Sequence, residues 1–194
     1  MTFPPLILAS QSPRRRELMK QVGFRFRIVP SKVEEIFDLH SSPRANARRI
    51  ALEKGREVAT RVKRGIVVSA DTIVVCGKRI LGKPESKADA RRMLRLLSGR
   101  RHDVYTCLAL IDAATGKTMT VTERTRVYFR RLSHKEIERY IATDSPFDKA
   151  GAYGIQDDHG AIFVEKVEGC FYNVMGLPLS RLYVALQTFL KSRG

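Results

Sequence analysis

The sequence predicts an α/β fold, and three observations carry that prediction. β-type apolar runs stand at Leu6 to Ala9, Ile66 to Val75, Cys107 to Ile111, Thr120 to Phe129 and Ala161 to Val167. The stretches between them place apolar residues at helical spacing, and most open on helix-start chemistry. The two patterns interleave along the chain, as they do where helices flank a sheet.

The elements follow in order. After Leu6 to Ala9, Ser12 can cap a helix with Pro13 at its first position; Leu18, Met19 and Val22 form its apolar stripe and Gly23 stops it. A short strand is expected over Phe26 to Val29. A second helix starts at Ser42-Pro43 and runs through Ala47, Ile50, Ala51 and Val58. A third starts at Ser86, whose hydroxyl can pair with Asp89, buries Ala90, Met93, Leu94 and Leu97, and ends at Gly99. Ser133-His134-Lys135-Glu136 is a capping box ahead of Ile137, Tyr140 and Ile141. The last helix, roughly Pro178 to Lys191, carries Leu179, Leu182, Tyr183, Leu186 and Leu190.

Composition bounds what such a fold does. With 194 residues, 43% of them hydrophobic, the chain can bury a substantial core. It has no low-complexity stretch, Gly/Ser linker or fixed-period repeat, so one unit spanning 1–194 is expected. No apolar run approaches the roughly 20 residues that span a bilayer. Met1-Thr2-Phe3-Pro4-Pro5 has no basic leader, so a cytoplasmic protein is expected. Cys76, Cys107 and Cys170 are too scattered for a disulfide framework or a C-x-x-C metal site, and read as reduced thiols. A formal net charge of +16 suits acidic partners, nucleotides and nucleic acid among them, or a solvated basic surface.

Certain charges break local rules. Arg14, Arg15 and Arg16 stand in the first turn of a helix, where the dipole disfavours cations. Free N–H groups, a positive helix end and guanidinium forks make an anion site suited to phosphate; three solvated arginines are the alternative. Asp71 in Ser69-Ala70-Asp71-Thr72 interrupts an apolar strand, so it needs a metal, a cation or strong hydrogen bonds, in a structural or a catalytic role. Lys54 shares the stripe of Ala47, Ile50, Ala51 and Val58, and either snorkels to water or aims its charge into a cleft. Lys83, in the Gly82-Lys83-Pro84 turn, either holds a phosphate or faces water. One carboxylate of Glu34-Glu35 could share magnesium or manganese with Asp71.

Taken together, the residues resemble the Maf family of nucleotide pyrophosphatases along nearly the whole chain. The matching stretches are Leu8-Ala9-Ser10-Gln11-Ser12-Pro13-Arg14-Arg15, Glu34-Glu35, Ala51-Leu52-Glu53-Lys54, Ala70-Asp71-Thr72, Leu81-Gly82-Lys83-Pro84, Ser98-Gly99-Arg100 with His102-Asp103-Val104-Tyr105-Thr106, Asp148 to Gln156, and Tyr172-Asn173-Val174 with Gly176-Leu177-Pro178. Cys170 departs from the pattern, serine being commoner there.

The resemblance implies an elongated mixed β-sheet with flanking helices and two lobes around a central cleft, usually in a homodimer. It implies hydrolysis of a nucleoside triphosphate between the α- and β-phosphates with a divalent cation, Mg2+ or Mn2+. Asp71 then corresponds to the catalytic proton acceptor, with Glu35 beside it on the metal. Arg14, Thr72 and Gln156 correspond to positions that differ with the base accepted, while by their chemistry Arg14, Arg15, Lys54 and Lys83 are the natural phosphate clamps, with Ser10 also expected to bind substrate. Arg14, Thr72 and Gln156 follow the branch similar to dTTP/UTP pyrophosphatases, acting on normal or modified pyrimidine nucleotides. The 7-methyl-GTP branch typically has a tryptophan after Ser-Pro, a glutamine after the strand aspartate and a glutamate at Gln156, and this chain has none of these. Another base preference, or a basic nucleic-acid-binding regulator without turnover, is the competing expectation, though no nucleic-acid-binding signature is present.

Overall fold

The computed structural model describes residues 3–143, 145–157 and 159–192, so Met1 and Thr2 of the leader argument lie outside the described residues. Each expected helix start appears. Ser12 Oγ accepts from the Arg15 backbone N–H at the head of α1 (Pro13–Gln21), and Ser42 caps α2 (Pro43–Ala59) in the same way, each with proline in the first turn. Ser86 caps α3 (Lys87–Leu97), and Ser133 with Glu136 completes the capping box of α4 (His134–Ile141). The chain ends in α5 (Phe171–Val174) and α6 (Leu179–Lys191). Gly23, at φ +75°, takes up the left-handed turn that leaves α1.

Seven strands form one mixed sheet: β1 (Leu6–Leu8), β2 (Phe26–Ile28), β3 (Ile66–Cys76), β4 (Arg79–Leu81), β5 (Arg101–Asp112), β6 (Thr118–Phe129) and β7 (Val164–Glu168). The order is β2-β1-β3-β5-β6-β7, with β4 attached to β3. β1 pairs in parallel with β2 and β3, while β3–β4 and β6–β7 are antiparallel. The expected mixed α/β sheet is therefore present.

Several features differ from the sequence expectation; Val22, expected on the apolar stripe of α1, sits at its C-cap and is exposed. β5 begins at Arg101, six residues before the apolar run from Cys107, because its first half alternates between exposed or half-buried Arg101, Asp103 and Tyr105 and buried His102, Val104 and Thr106. Ala161–Phe163 is a 3-10 turn, and the strand expected there starts at Val164. β4 closes a hairpin through Gly77 at φ +61°, and is too short for periodicity to detect.

The chain forms two compact units. The first comprises 1–71, 106–123 and 176–194; the second comprises 72–105 and 124–175. β3, β5 and β6 contribute residues to both. In the first unit Ile7, Ala9 and Val67 pack with Val58 of α2 and Ile111 of β5. In the second, Leu81, Met93, Leu94 and Leu97 pack with Phe129, Tyr140, Tyr153 and Phe163. Each core offers a dense frame in which a charged group is held in one geometry.

Candidate functional site

The arrangement in the first unit starts from a steric fact. α2 lies so close to β3 that a Cβ on Gly55 would stand 2.6 Å from Ser69 Oγ and 2.7 Å from Ile111 Cδ1. The neighbouring Ser69 hydroxyl donates to the Ala51 carbonyl at 2.7 Å, joining strand to helix. One residue before that glycine, Lys54 is buried, and its Nζ donates to Asp71 Oδ1 at 2.7 Å and to Glu35 Oε1 at 2.6 Å. Lys54 therefore does not snorkel. Two charges that each violated their local pattern meet in one ion pair, as buried charges must.

Glu35 stands on a segment without regular structure, strapped to α2 and the turn after it by several bonds. Asn46, fully buried, accepts from the Asp38 N–H and donates to the Asp38 carbonyl, both at 2.8 Å. Arg61 donates to the Pro30 carbonyl at 2.6 Å, and Glu57 accepts from the Lys32 N–H at 3.2 Å. Asn46 is a positioning residue that sequence reading missed. Its only signal was an amide inside an apolar helix face.

Asp71 Oδ2 is buried and has no hydrogen-bond donor among the described residues. An orphaned carboxylate oxygen is costly, and a cation or a water would satisfy it. Among the described residues no three His, Cys, Asp or Glu gather into a metal site. Two carboxylates, Glu35 and Asp71, nevertheless suit magnesium or manganese, which hold several waters and substrate phosphate oxygens around a few protein oxygens. The residues fit such an ion.

The Arg-rich helix start splits three ways. Arg15 folds back, donating from Nε to the Gly176 carbonyl at 2.8 Å and from Nη1 to Ser10 Oγ at 3.2 Å. Ser10 Oγ also accepts from the Ser12 N–H at 3.2 Å, so the Ser10-to-Arg15 loop is internally fixed. Burial pushes the Arg15 pKa below its ordinary value; the Asp71 and Glu35 carboxylates counter that and Arg14 adds to it. Arg14 is half-buried, and Arg16 is exposed. All three cysteines are free thiols, and burial pushes those of Cys76 and Cys107 up, away from thiolate.

The remaining expected residues belong to the second unit. Thr72 is half-buried, and Lys83 is exposed on the turn before α3. That turn is tied to the Asp148-to-Gln156 run, because the Gly151 N–H donates to the Gly82 carbonyl at 2.9 Å. Gly151 takes φ +73° with its Cα against Val74, where a Cβ would lie 3.1 Å from Cγ1. Gln156 donates from Nε2 to Asp157 Oδ1 at 2.8 Å, while its Oε1 is buried with no partner among the described residues.

Residues 5–189 match the family model described as Maf-like protein. The chain belongs to the Maf-like family. Its curated relatives include a dTTP/UTP pyrophosphatase of Bacillus anthracis, 50% identical over 95% of each chain. Another dTTP/UTP pyrophosphatase, of Caldicellulosiruptor saccharolyticus, is 48% identical over 94% of this chain and 93% of its own. Among solved structures, a nucleoside-triphosphatase / dITP/XTP pyrophosphatase of Mycobacterium abscessus is 15% identical over 97% of each chain, with a TM-score of 0.44, too loose a likeness to weigh on this Maf-like chain.

Proposed function

We propose that this Maf-like protein is a hydrolase that cleaves dTTP and UTP, and modified pyrimidine nucleotides of the same base edge, to the monophosphate and pyrophosphate. Similarity to dTTP/UTP pyrophosphatases over nearly the full chain supports the substrate class. The single observation that carries the chemistry is the buried Asp71 carboxylate, with one oxygen held by Lys54 and the other without a donor.

The residues divide the work as follows. Lys54 holds Asp71 Oδ1, which aims the Oδ2 lone pairs at the attacking water and lets Asp71 orient it and accept its proton. Glu35 and Asp71 would hold Mg2+ or Mn2+. When bound, that ion neutralises charge building on the phosphates. A triphosphate brings about four negative charges, and Arg14, Arg15, Lys54 and Lys83 are cations matched to them. Ser10 fixes the loop that Arg15 crosses. Thr72 and Gln156 recognise the base, the Gln156 amide suiting the mixed donor and acceptor edge of uracil or thymine.

In the same reading residues 1–194 are one Maf-like domain working as a cytoplasmic homodimer, which light scattering and fractionation would check. No helix among the described residues is long and apolar enough to cross a membrane. The deciding experiment is a steady-state screen of normal and modified triphosphates with magnesium and manganese, repeated with Asp71→Asn and Gln156→Glu. dTTP and UTP are expected to be preferred, with turnover lost in a folded Asp71→Asn. Pyrophosphate release fastest with a guanine nucleotide overturns the substrate class, and none from any nucleotide overturns the enzyme.

A further inference from the structure

Two helices of the first unit start beside one cavity of about 600 Å³. The first turn of α2 lines it through Ser42 and Arg44, the next turn through Arg48, and the first turn of α6 through Arg181, with Thr120 and Thr122 of β6 beside them. Arg48 Nε donates to Thr120 Oγ1 at 3.2 Å, a bond that ties helix to strand and keeps this guanidinium at the cavity. Three guanidiniums and three hydroxyls thus line it. Among the described residues no carboxylate and no aromatic ring does.

Cations gathered in this way repel one another, and the neighbouring arginines show the usual remedy. Arg49 pairs with Glu53 at 3.0 Å and Arg61 with Glu57 at 2.8 Å. Arg44 and Arg48 have no carboxylate partner among the described residues, and only Arg181 has one, Glu123 at 2.7 Å, which does not line the cavity. Neither helix has an acidic residue in its first turn, so Arg44 and Arg181 stand where the dipole disfavours a cation. Burial pushes the Cys107 thiol of β5 up, and Arg48 and Arg44 oppose it, so their charge is felt at the sheet. An anion in the cavity would relieve all three guanidiniums and meet two positive helix ends.

The lining also selects among anions. Arg44 and Arg48 stand one turn apart, about 6 Å of rise along the helix. A guanidinium fork takes two oxygens of one phosphate, so a chain of two or three phosphates serves several forks at once and matches their charge. With no aromatic ring to stack a base, recognition falls on the phosphates.

We propose that this cavity is a second anion site, separate from Asp71 and Lys54, that takes an oligophosphate, whether the free anion or the phosphate tail of a nucleotide. Arg48 and Lys54 share α2, but six residues give about 9 Å of rise and about 600° of turn, so they face different sides. Lys54 is buried against Asp71, whereas Arg48 is exposed. The site needs binding only, so it stands whether or not the protein is a hydrolase.

Calorimetric titration with inorganic triphosphate, in EDTA so that no metal bridges it, tests the site. Two binding events are expected in the wild type, both weakened by added salt. Arg44→Gln/Arg48→Gln should weaken one by about tenfold or more. The same variant should keep kcat/KM for dTTP within about twofold of the wild type, because neither residue belongs to the Asp71 site. Arg14→Gln/Lys83→Gln should remove the other event and keep the first. In that variant, dTTP held more tightly than inorganic triphosphate assigns the cavity to a nucleotide tail, and equal affinity assigns it to the free anion; both uphold the site. Triphosphate binding that ignores Arg44 and Arg48, or that vanishes with Arg14 and Lys83, overturns it. Loss of dTTP turnover in a folded Arg44→Gln/Arg48→Gln merges the cavity with the Asp71 site and overturns a separate one. A single-stranded oligonucleotide that displaces triphosphate in Arg14→Gln/Lys83→Gln overturns the choice of ligand.

Discussion

The Lys54 ammonium and the Asp71 carboxylate, both almost fully buried, meet at 2.7 Å and join α2 to β3 beside Gly55, where a Cβ would stand 2.6 Å from Ser69 Oγ. Removing one partner leaves the other as an uncompensated buried charge, which typically costs about 3–5 kcal/mol. Lys54→Met is expected to lower stability by about that amount in urea unfolding and to abolish pyrophosphate release. The double variant Lys54→Met/Asp71→Asn should recover part of the stability and none of the activity, because it removes the stranded charge along with the pair.

Glu35 accepts from the same ammonium but is about one-third exposed on its side chain. Water screens it, so Glu35→Gln should change unfolding free energy by less than about 1 kcal/mol. Its effect belongs to the cation. Activity removed by EDTA is expected to return on adding magnesium or manganese, and in Glu35→Gln the concentration needed should rise by about tenfold, the equivalent of about 1.4 kcal/mol. Metal titrations of activity measure both. Restored activity at unchanged metal concentration would take Glu35 off the metal.

Much of this arrangement was legible from local sequence. Ser12-Pro13, Ser42-Pro43, Ser86 and Ser133 announce helices through capping chemistry that acts within four residues, and all four cap as expected. Asp71 and Lys54 were legible as anomalies, since a charge amid apolar neighbours must find a partner. That they partner each other was not, because residues 17 apart on a strand and a helix meet only through packing. Arg15 shows the limit more sharply: its tie to the Gly176 carbonyl spans 161 residues. Asn46 acts by holding another segment in place, and nothing in local periodicity marks a residue whose role is to orient another.

Gly55 is a test of how tightly that geometry is set. Glycine inside a helix costs about 1 kcal/mol relative to alanine, so Gly55→Ala should stabilise α2 taken alone. In the folded protein its Cβ would enter contacts of 2.6 and 2.7 Å with Ser69 and Ile111. Overpacking of this kind costs about 1–3 kcal/mol and here pushes α2 off β3. The variant should melt below the wild type and lose turnover by about tenfold or more, since Lys54 moves with the helix. A more stable, fully active variant would show that the close approach is not required.

His102, in the second unit, predicts a dependence on pH. It is buried beside Phe129 and Tyr153, its Nε2 lies 2.7 Å from the Tyr153 hydroxyl, and its Nδ1 has no partner among the described residues. Burial lowers its pKa from 6.5 to about 4, only partly opposed by Asp103. Between those values the unfolded chain takes up a proton that the folded chain refuses, so stability is full above pH 6.5 and falls as pH drops toward 4. At 1.36 kcal/mol per unit the whole loss is of order 3 kcal/mol. Urea unfolding of the wild type should show this slope, and His102→Gln, less stable at pH 7 through lost packing, should flatten it across the same window. An equal slope in both proteins would assign the acid sensitivity to other groups.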